Sequence, residues 1–365
     1  MNIAIIGTRG IPNHYGGFEQ FAEYLSLGLV NKGHSVTVYN SHTHPYQQNS
    51  WQGVNIIHCK DPEDKMGTAG QFIYDLNCIK DARKRHFDII LQLGYTSSSV
   101  WGWLLPRKKS IVTTNMDGLE WKRSKYSAKV QRFLLHAEKL GVKYSDYLIA
   151  DSVGIQQYLK NKYDKDSLFI PYGAHVFEQP EQVFLNEFGL EAYNYNMLIA
   201  RLEPENSIEI ILEGVRQAKD NTSFLVIGKH ETKYGAYLKA KFNDCANIRF
   251  IGSLYDIEKL NNLRYFSKLY FHGHTVGGTN PSLLEAMASQ ALIAANDNIF
   301  NQSILGKGAY YFTNAAEVAG LLERIDKTQD VEKLSANVQK IKDIYAWPII
   351  VEQYITHFED ILKKR

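Results

Sequence analysis

The sequence predicts an α/β protein of two doubly wound, Rossmann-like domains that face each other across a cleft. Three observations carry this expectation. Short apolar runs alternate with amphipathic stretches along the whole chain, and strands alternating with helices fold as right-handed βαβ units around a parallel sheet. The alternation lapses over Gly173–Tyr195, a stretch with Pro180 and few periodic apolar positions, and then restarts. Finally, 365 residues exceed one ordinary α/β core, while two domains of about 150–200 residues each are of usual size.

In chain order, the candidate strands of the first domain, residues 1–175, are Asn2–Gly7, His34–Asn40, Asn55–Cys59, Asp88–Leu93, Ser110–Thr114, Asp146–Ala150 and Leu168–Pro171. Helical patterns lie between many of them, at Phe18–Leu29, Ala69–Arg85, Ala128–Lys143 and Val153–Lys162. The second domain, residues 190–345, reads as strands at Met197–Leu202, Ser223–Gly228, Arg249–Ile251, Lys268–His272, Ala291–Ala295 and Ala309–Phe312. Trp347-Pro348 then opens an amphipathic helix running from Ile349 towards Lys363, and a proline is tolerated near a helix start because its missing N–H has no partner there. This terminal stretch, 346–365, either caps the second domain or crosses back to complete the first.

Composition narrows the function classes. A net charge of +2 gives no reason to expect nucleic-acid binding. Cys59, Cys78 and Cys245 have no paired spacing and read as free thiols in a reducing compartment. The first strand begins at Met1-Asn2-Ile3 with no signal peptide ahead of it, and no apolar run reaches the roughly 18 residues of a membrane span. A cytoplasmic protein is expected, with membrane contact no more than peripheral.

Ligands of doubly wound sheets sit at the carboxyl ends of the strands, and the chemistry-bearing residues fall there. The first strand empties into Gly7-Thr8-Arg9-Gly10-Ile11-Pro12 and then His14-Tyr15-Gly16-Gly17-Phe18-Glu19. Gly16 and Gly17 open a helix whose positive end suits an anion, with Arg9 as a further cation. The pattern is not G-x-G-x-x-G, and Asn40, not an acid, closes the second strand, so a dinucleotide-dependent oxidoreductase is disfavoured. In the second domain, the strand ending at His272 runs into Gly273–Val276 and then Gly277-Gly278-Thr279-Asn280-Pro281. Thr279 or Asn280 can cap the following helix, whose free N–H groups make a diphosphate site. Glu285 lies just past its first turn, where a carboxylate can accept from ribose hydroxyls. Arg201 and Lys229 each follow a second-domain strand, so both cations can reach one pyrophosphate.

These segments carry a resemblance. Arg201-Leu202-Glu203-Pro204-Glu205, Gly228-Lys229 and Ser282-Leu283-Leu284-Glu285-Ala286-Met287 resemble the donor half of glycosyltransferase family 4, which has the GT-B fold and retains anomeric configuration. Gly7–Pro12, Tyr15–Glu19 and Asp117-Gly118-Leu119-Glu120-Trp121-Lys122-Arg123 resemble one branch of it, the bacterial rhamnosyltransferases of surface-polysaccharide assembly. Only Ser41–Thr68 and the last turn carry no motif of the family. The resemblance implies transfer of L-rhamnose from dTDP-β-L-rhamnose to a lipid-diphosphate-linked saccharide, at the inner face of the plasma membrane. It implies no cofactor and no metal, the leaving diphosphate being held by Arg201, Lys229 and the Gly277–Asn280 loop.

The departures are specific. Gly277 stands where the wider family has the first Glu of a Glu-x7-Glu pair, and Asn206 where it has a Lys five residues after the Arg. The active-site His of the first domain is missing near Asn115-Met116-Asp117, and the branch makes Asp117 its substitute. Expected catalytic residues are thus Asp117, Arg201 and Lys229; expected donor-binding residues are Arg9, Gly16, Gly17, Gly277, Gly278, Thr279, Asn280 and Glu285. Asp164-Lys165-Asp166 reads as a solvated turn, not a metal site. Lys129, Arg132, Lys139 and Lys143, among Val130, Phe133 and Leu134, form a basic amphipathic helix that suits either solvent or anionic lipid. A transferase using a UDP- or GDP-hexose, a nucleotide-sugar epimerase, and a non-catalytic nucleotide-sugar-binding protein are the other readings.

Overall fold

The computed structural model describes all residues but Asp117, Ser124 and Asp220. The chain divides into two compact units, one of Met1–Lys122, Tyr126–Tyr172 and Trp347–Arg365, the other of Arg123–Lys125 and Gly173–Ala346. Each holds one sheet, and the expected α/β class with two parallel-sheet domains is what forms.

The first unit carries strands β1 (Asn2–Ile6), β2 (Ser35–Ser41), β3 (Ser50–Trp51), β4 (Val54–Cys59), β5 (Ile89–Leu93), β6 (Ile111–Asn115), β7 (Tyr147–Ala150) and β8 (Leu168–Phe169). They order as β3-β4-β2-β1-β5-β6-β7-β8. All pairings are parallel except the two-residue β3, an antiparallel edge that periodicity did not single out. Beyond the partly buried Asn2, β1 and β5 are buried along their length, which is why they read as mostly apolar runs and not as alternating ones. The Trp347–Lys363 helix belongs to this unit. Its apolar stripe, Ile350, Tyr354, Phe358 and Ile361, is fully buried, and the rings of Trp347 and Tyr354 meet Phe21 of the Gly17–Asn31 helix at tilted angles, 5.8 and 5.5 Å between centroids. His357 Nε2 and Thr113 Oγ1 are 3.0 Å apart, tying the helix to β6.

The second unit carries β9 (Tyr195–Ile199), β10 (Ser223–Ile227), β11 (Ile248–Gly252), β12 (Leu269–His272), β13 (Ile293–Asn296) and β14 (Tyr310–Phe312), ordered β11-β10-β9-β12-β13-β14. Its core gathers Leu198, Phe224, Val226, Leu269 and Phe271 with Ile208, Ile211 and Leu212 of the Ile208–Gln217 helix. Full burial of each such side chain contributes roughly 1.5–3 kcal/mol. Each predicted strand forms, its ends shifted by a few residues. The clearest shift is Met197–Leu202, which forms as Tyr195–Ile199. The strand stops early because Asn206 Nδ2 donates to the Arg201 carbonyl at 2.8 Å and curls the chain into the Pro204–Asn206 turn. The stretch read as irregular, Gly173–Tyr195, holds a short helix at Val183–Asn186 and a bridge between Ala174 and Ala346.

Candidate functional site

Strand order decides where a ligand belongs in each sheet. In the second unit β9 lies between β10 and β12, and the chain leaves it on opposite sides. Such a reversal opens a crevice at the carboxyl ends of the strands. Arg201 lies two residues past Ile199 and Lys229 two past Ile227, and Ile199 pairs with Ile227 in the parallel register of β9 and β10. The two cations therefore leave neighbouring strand ends. Both are exposed, and neither makes an ion pair or side-chain hydrogen bond with the described residues. On the other side of β9, Phe271 of β12 pairs with Leu198, bringing the loop after His272 beside the loop carrying Arg201.

That loop ends in the Pro281–Ala288 helix. Asn280 is its N-cap, accepting from Ser282 N at 2.9 Å, so its side chain serves the helix. Thr279 is buried and Gly278 partly so. Gly277 has φ +137° with no atom within 4 Å of where a Cβ would sit, so backbone conformation, not space, keeps a carboxylate side chain from this position. Glu285 does not stand alone: its Oε2 lies 2.5 Å from Arg264 Nη2. Arg264 is buried to 1% exposure and also donates to Ser282 Oγ at 3.3 Å and Asn261 Oδ1 at 3.0 Å. Sequence reasoning missed Arg264, since a basic residue in the last turn of the Ile257–Phe266 helix reads as an exposed partner of the helix end and gives no sign that it faces inward.

It also missed His272 and His274. Their rings stack at 4.4 Å with an interplanar angle of 15°. The i, i+2 spacing at a strand end, which puts both side chains on one face, was the available signal. Burial, with the Arg264 charge adding to it, pushes the His272 imidazole down to about 3. His274 is held well below its ordinary value by burial, then by His272, Arg201 and Arg123.

In the first unit the reversal falls between β1, β2 and β5, and the loop after β1 carries Arg9, Gly16 and Gly17. The Arg9 guanidinium is committed: it donates to both Glu63 oxygens, at 3.0 and 2.8 Å, and lies 3.9 Å from the Tyr15 ring centroid. It was expected to face a ligand as a free cation. Gly16 is the extended N-cap of the Gly17–Asn31 helix. Buried Glu19 in its first turn accepts from Arg9 N at 2.8 Å and Thr8 Oγ1 at 3.2 Å, fixing the loop. Asn40 explains its own departure from an acid. Its Oδ1 accepts from Ile11 N and its Nδ2 donates to Ile11 O, at 3.1 and 2.8 Å, so it holds the loop instead of a ribose.

Asp117 lies outside the described residues. Close to it in sequence, Trp121 Nε1 donates to buried Glu138 at 3.1 Å, and Glu138 also accepts from Tyr158, Lys162 and Tyr163. Asp164 and Asp166 are almost wholly exposed and pair with Lys160 at 2.9 and 3.2 Å, a solvated turn. All three cysteines are free thiols. Among the described residues no cluster of three or more His, Cys, Asp or Glu is placed to hold a metal, and no helix is long and apolar enough to cross a membrane. The expected site residues thus fall into two groups, Arg201, Lys229, the Gly277–Asn280 loop and Glu285 on the second unit, and Arg9, Gly16 and Gly17 on the first.

Two parallel-sheet α/β domains of this kind are the fold of the GT-B glycosyltransferases. The chain is similar to a sucrose-phosphate synthase from Thermosynechococcus elongatus, with a TM-score of 0.83 and 17% identity over 100% of both chains. It is similar to Anabaena HepE in complex with UDP-glucose, with a TM-score of 0.76 and 14% identity over 100% of this chain and 99% of that one. A glycosyltransferase from Rickettsia africae ESF-5 aligns with a TM-score of 0.74 and 12% identity, over 100% of this chain and 98% of that one. At these identities the likeness is one of fold. Residues 1–175 match a family model described as a domain of unknown function, DUF1972. No curated protein matches the chain in sequence.

Proposed function

We propose that the chain is a retaining, metal-independent glycosyltransferase that moves L-rhamnose from dTDP-β-L-rhamnose to a lipid-diphosphate-linked saccharide of a surface polysaccharide. The observation that carries the reading is the pair of unpaired cations, Arg201 and Lys229, on neighbouring strand ends beside a loop that opens a helix. An exposed pair of this kind suits a diphosphate, each charge-assisted hydrogen bond to which contributes about 1.5–3 kcal/mol. As the bond from the anomeric carbon to the leaving oxygen lengthens, negative charge grows on the diphosphate, and preorganised donors bind that charge more tightly than the ground state. This is the work a divalent metal does in other transferases. The acceptor oxygen adds on the face the diphosphate leaves, with no covalent enzyme intermediate. Structures of the same fold include HepE with UDP-glucose, which supports a nucleotide sugar as donor; the rhamnose assignment rests on the branch resemblance of the first domain.

Calorimetry with dTDP, UDP and GDP, each with magnesium and with EDTA, tests the donor. Tight binding of dTDP in EDTA supports the reading. Preference for UDP or GDP keeps the transferase and discards rhamnose, and binding of none discards the transferase. Asp117 is proposed as the group that accepts the acceptor's proton or holds a sugar hydroxyl; full turnover by Asp117→Asn would remove it from that role. A lipid-linked acceptor requires access to a membrane surface, and the Ala128–Tyr144 helix exposes Lys129, Val130, Arg132, Phe133 and Lys139. Anionic lipid attracts such a face by about 1 kcal/mol per basic residue. Replacing Lys129, Arg132 and Lys139 by Gln is expected to abolish sedimentation with anionic liposomes, and unchanged sedimentation would discard the membrane contact.

A further inference from the structure

Where β12 runs into the loop before the Pro281–Ala288 helix, the chain presents an imidazole pair, His272 and His274, that the diphosphate reading does not use. The backbone of the loop is fixed from several directions. Gly273 passes so close to the Asn206 carbonyl that a Cβ would lie 2.1 Å from it. The His274 carbonyl accepts from Asn298 Nδ2 and from Asn301 Nδ2, both at 3.0 Å. Thr275 donates to the Glu205 carbonyl through its backbone N–H at 3.1 Å and through its hydroxyl at 2.8 Å.

The rings, in contrast, are left without partners. Both ring nitrogens of His272 and Nδ1 of His274 are buried and make no hydrogen bond with the described residues. Leaving such a group unpaired costs about 1–3 kcal/mol each, so a pinned backbone carrying unpaired imidazoles is poised for something that binds. Neither ring is protonated near neutral pH, because burial holds both low. A neutral imidazole offers one donor and one acceptor. A phosphate oxygen can use only the donor, whereas a sugar hydroxyl both gives and takes. Arg201, whose charge acts on His274, and Lys229 on the next strand end already supply cationic donors for phosphate. At the tip of the loop Gly277 and Gly278 offer no side chain, and the Thr275 hydroxyl is already given to the Glu205 carbonyl.

We propose that His274, backed by the stacked His272, is a recognition residue for a hydroxyl of the transferred sugar. The proposal rests on the nucleotide-sugar reading of the same site and assigns the sugar, as distinct from the diphosphate, to this loop.

The test compares binding of dTDP with binding of dTDP-β-L-rhamnose by calorimetry, for the wild type, His274→Ala and His274→Gln. UDP with UDP-glucose serves if the wild type prefers uridine. His274→Ala is expected to weaken the nucleotide sugar about tenfold, equivalent to about 1.4 kcal/mol, and to leave the nucleoside diphosphate within about twofold. His274→Gln keeps a donor and an acceptor and is expected to recover part of the loss. Wild-type protein that binds no nucleotide sugar overturns the donor reading and this inference with it. A wild type that binds, with His274→Ala binding both ligands equally well, overturns this inference alone. If the variants do not fold, imidazole nitrogen shifts of the wild type decide: the His274 ring is expected to respond to the nucleotide sugar and not to the diphosphate. Equal response to both places the ring at the phosphates and overturns the proposal.

Discussion

Glu285 is useful to a ligand only if its carboxylate is held, and Arg264 is what holds it. The 2.5 Å contact joins a guanidinium exposed to 1% with a largely buried carboxylate exposed to 17%. Removing one partner of a buried pair typically costs about 3–5 kcal/mol, because the other charge stays buried and unpaired. Arg264→Ala is therefore expected to destabilise the second unit by several kcal/mol in urea unfolding, and a change below about 1 kcal/mol would show the pair to be incidental. A second consequence concerns pH. His272 is pushed down to about 3 and His357 to about 4, both chiefly by burial, from the ordinary value of 6.5. The unfolded chain thus binds more protons than the folded one between pH 6.5 and those values, so this share of stability is complete above pH 6.5 and is lost as pH falls. The thermal midpoint is expected to drop from pH 6.5 to 4, with a shallower drop in His357→Gln; an identical slope would clear His357. Arg201 and Lys229 were legible in sequence because position after a strand end is a local property. Arg264 and the two histidines were not, because inward orientation and lack of a partner depend on residues far along the chain. Asn40 and Asn206 were legible only as departures, and their reason, backbone carbonyls and amides to be held, appears only once the loops are folded.

At the scale of elements, alternation and strand type were readable because central parallel strands must be apolar on both faces. Edges were less so: β3 has two residues and no periodicity to betray it. The destination of the last helix was open for the same kind of reason. An amphipathic stripe states that a helix must be covered, not by what. The covering surface is the Gly17–Asn31 helix, and the fit turns on one residue. A Cβ on Gly28 would lie 2.3 Å from Val351 Cγ2 and 3.0 Å from Cγ1. Overpacking a tight contact costs about 1–3 kcal/mol. Gly28→Ala is expected to lower the stability of the first unit by that amount despite the better helix propensity of alanine, and Val351→Ala in the same chain to restore part of it. A Gly28→Ala protein as stable as the wild type would mean that the helices separate at little cost.

For the whole molecule, the question is which residues a nucleotide orders. A ligand that binds only the folded protein stabilises it by about 2.7 kcal/mol at a hundredfold excess over Kd, and amide exchange shows where. Diphosphate held by Arg201, Lys229 and the Gly277–Asn280 loop should slow exchange over 199–206, 227–230 and 273–285, all in the second unit. The first unit makes a sharper test. Arg9, expected as a donor contact, already gives its guanidinium to Glu63, and buried Glu19 brings a carboxylate into the first turn of the helix that Gly16 and Gly17 open. Both facts weaken that loop as an anion site, since a nearby carboxylate opposes the positive end of a helix. Exchange at 9–20 is therefore expected to be unchanged by dTDP alone. Slowing there would return Gly16 and Gly17 to the donor, through backbone N–H groups and without Arg9. Unchanged exchange in the second unit, with dTDP bound by calorimetry, would move the diphosphate away from Arg201 and Lys229 and remove the observation on which the proposed function stands.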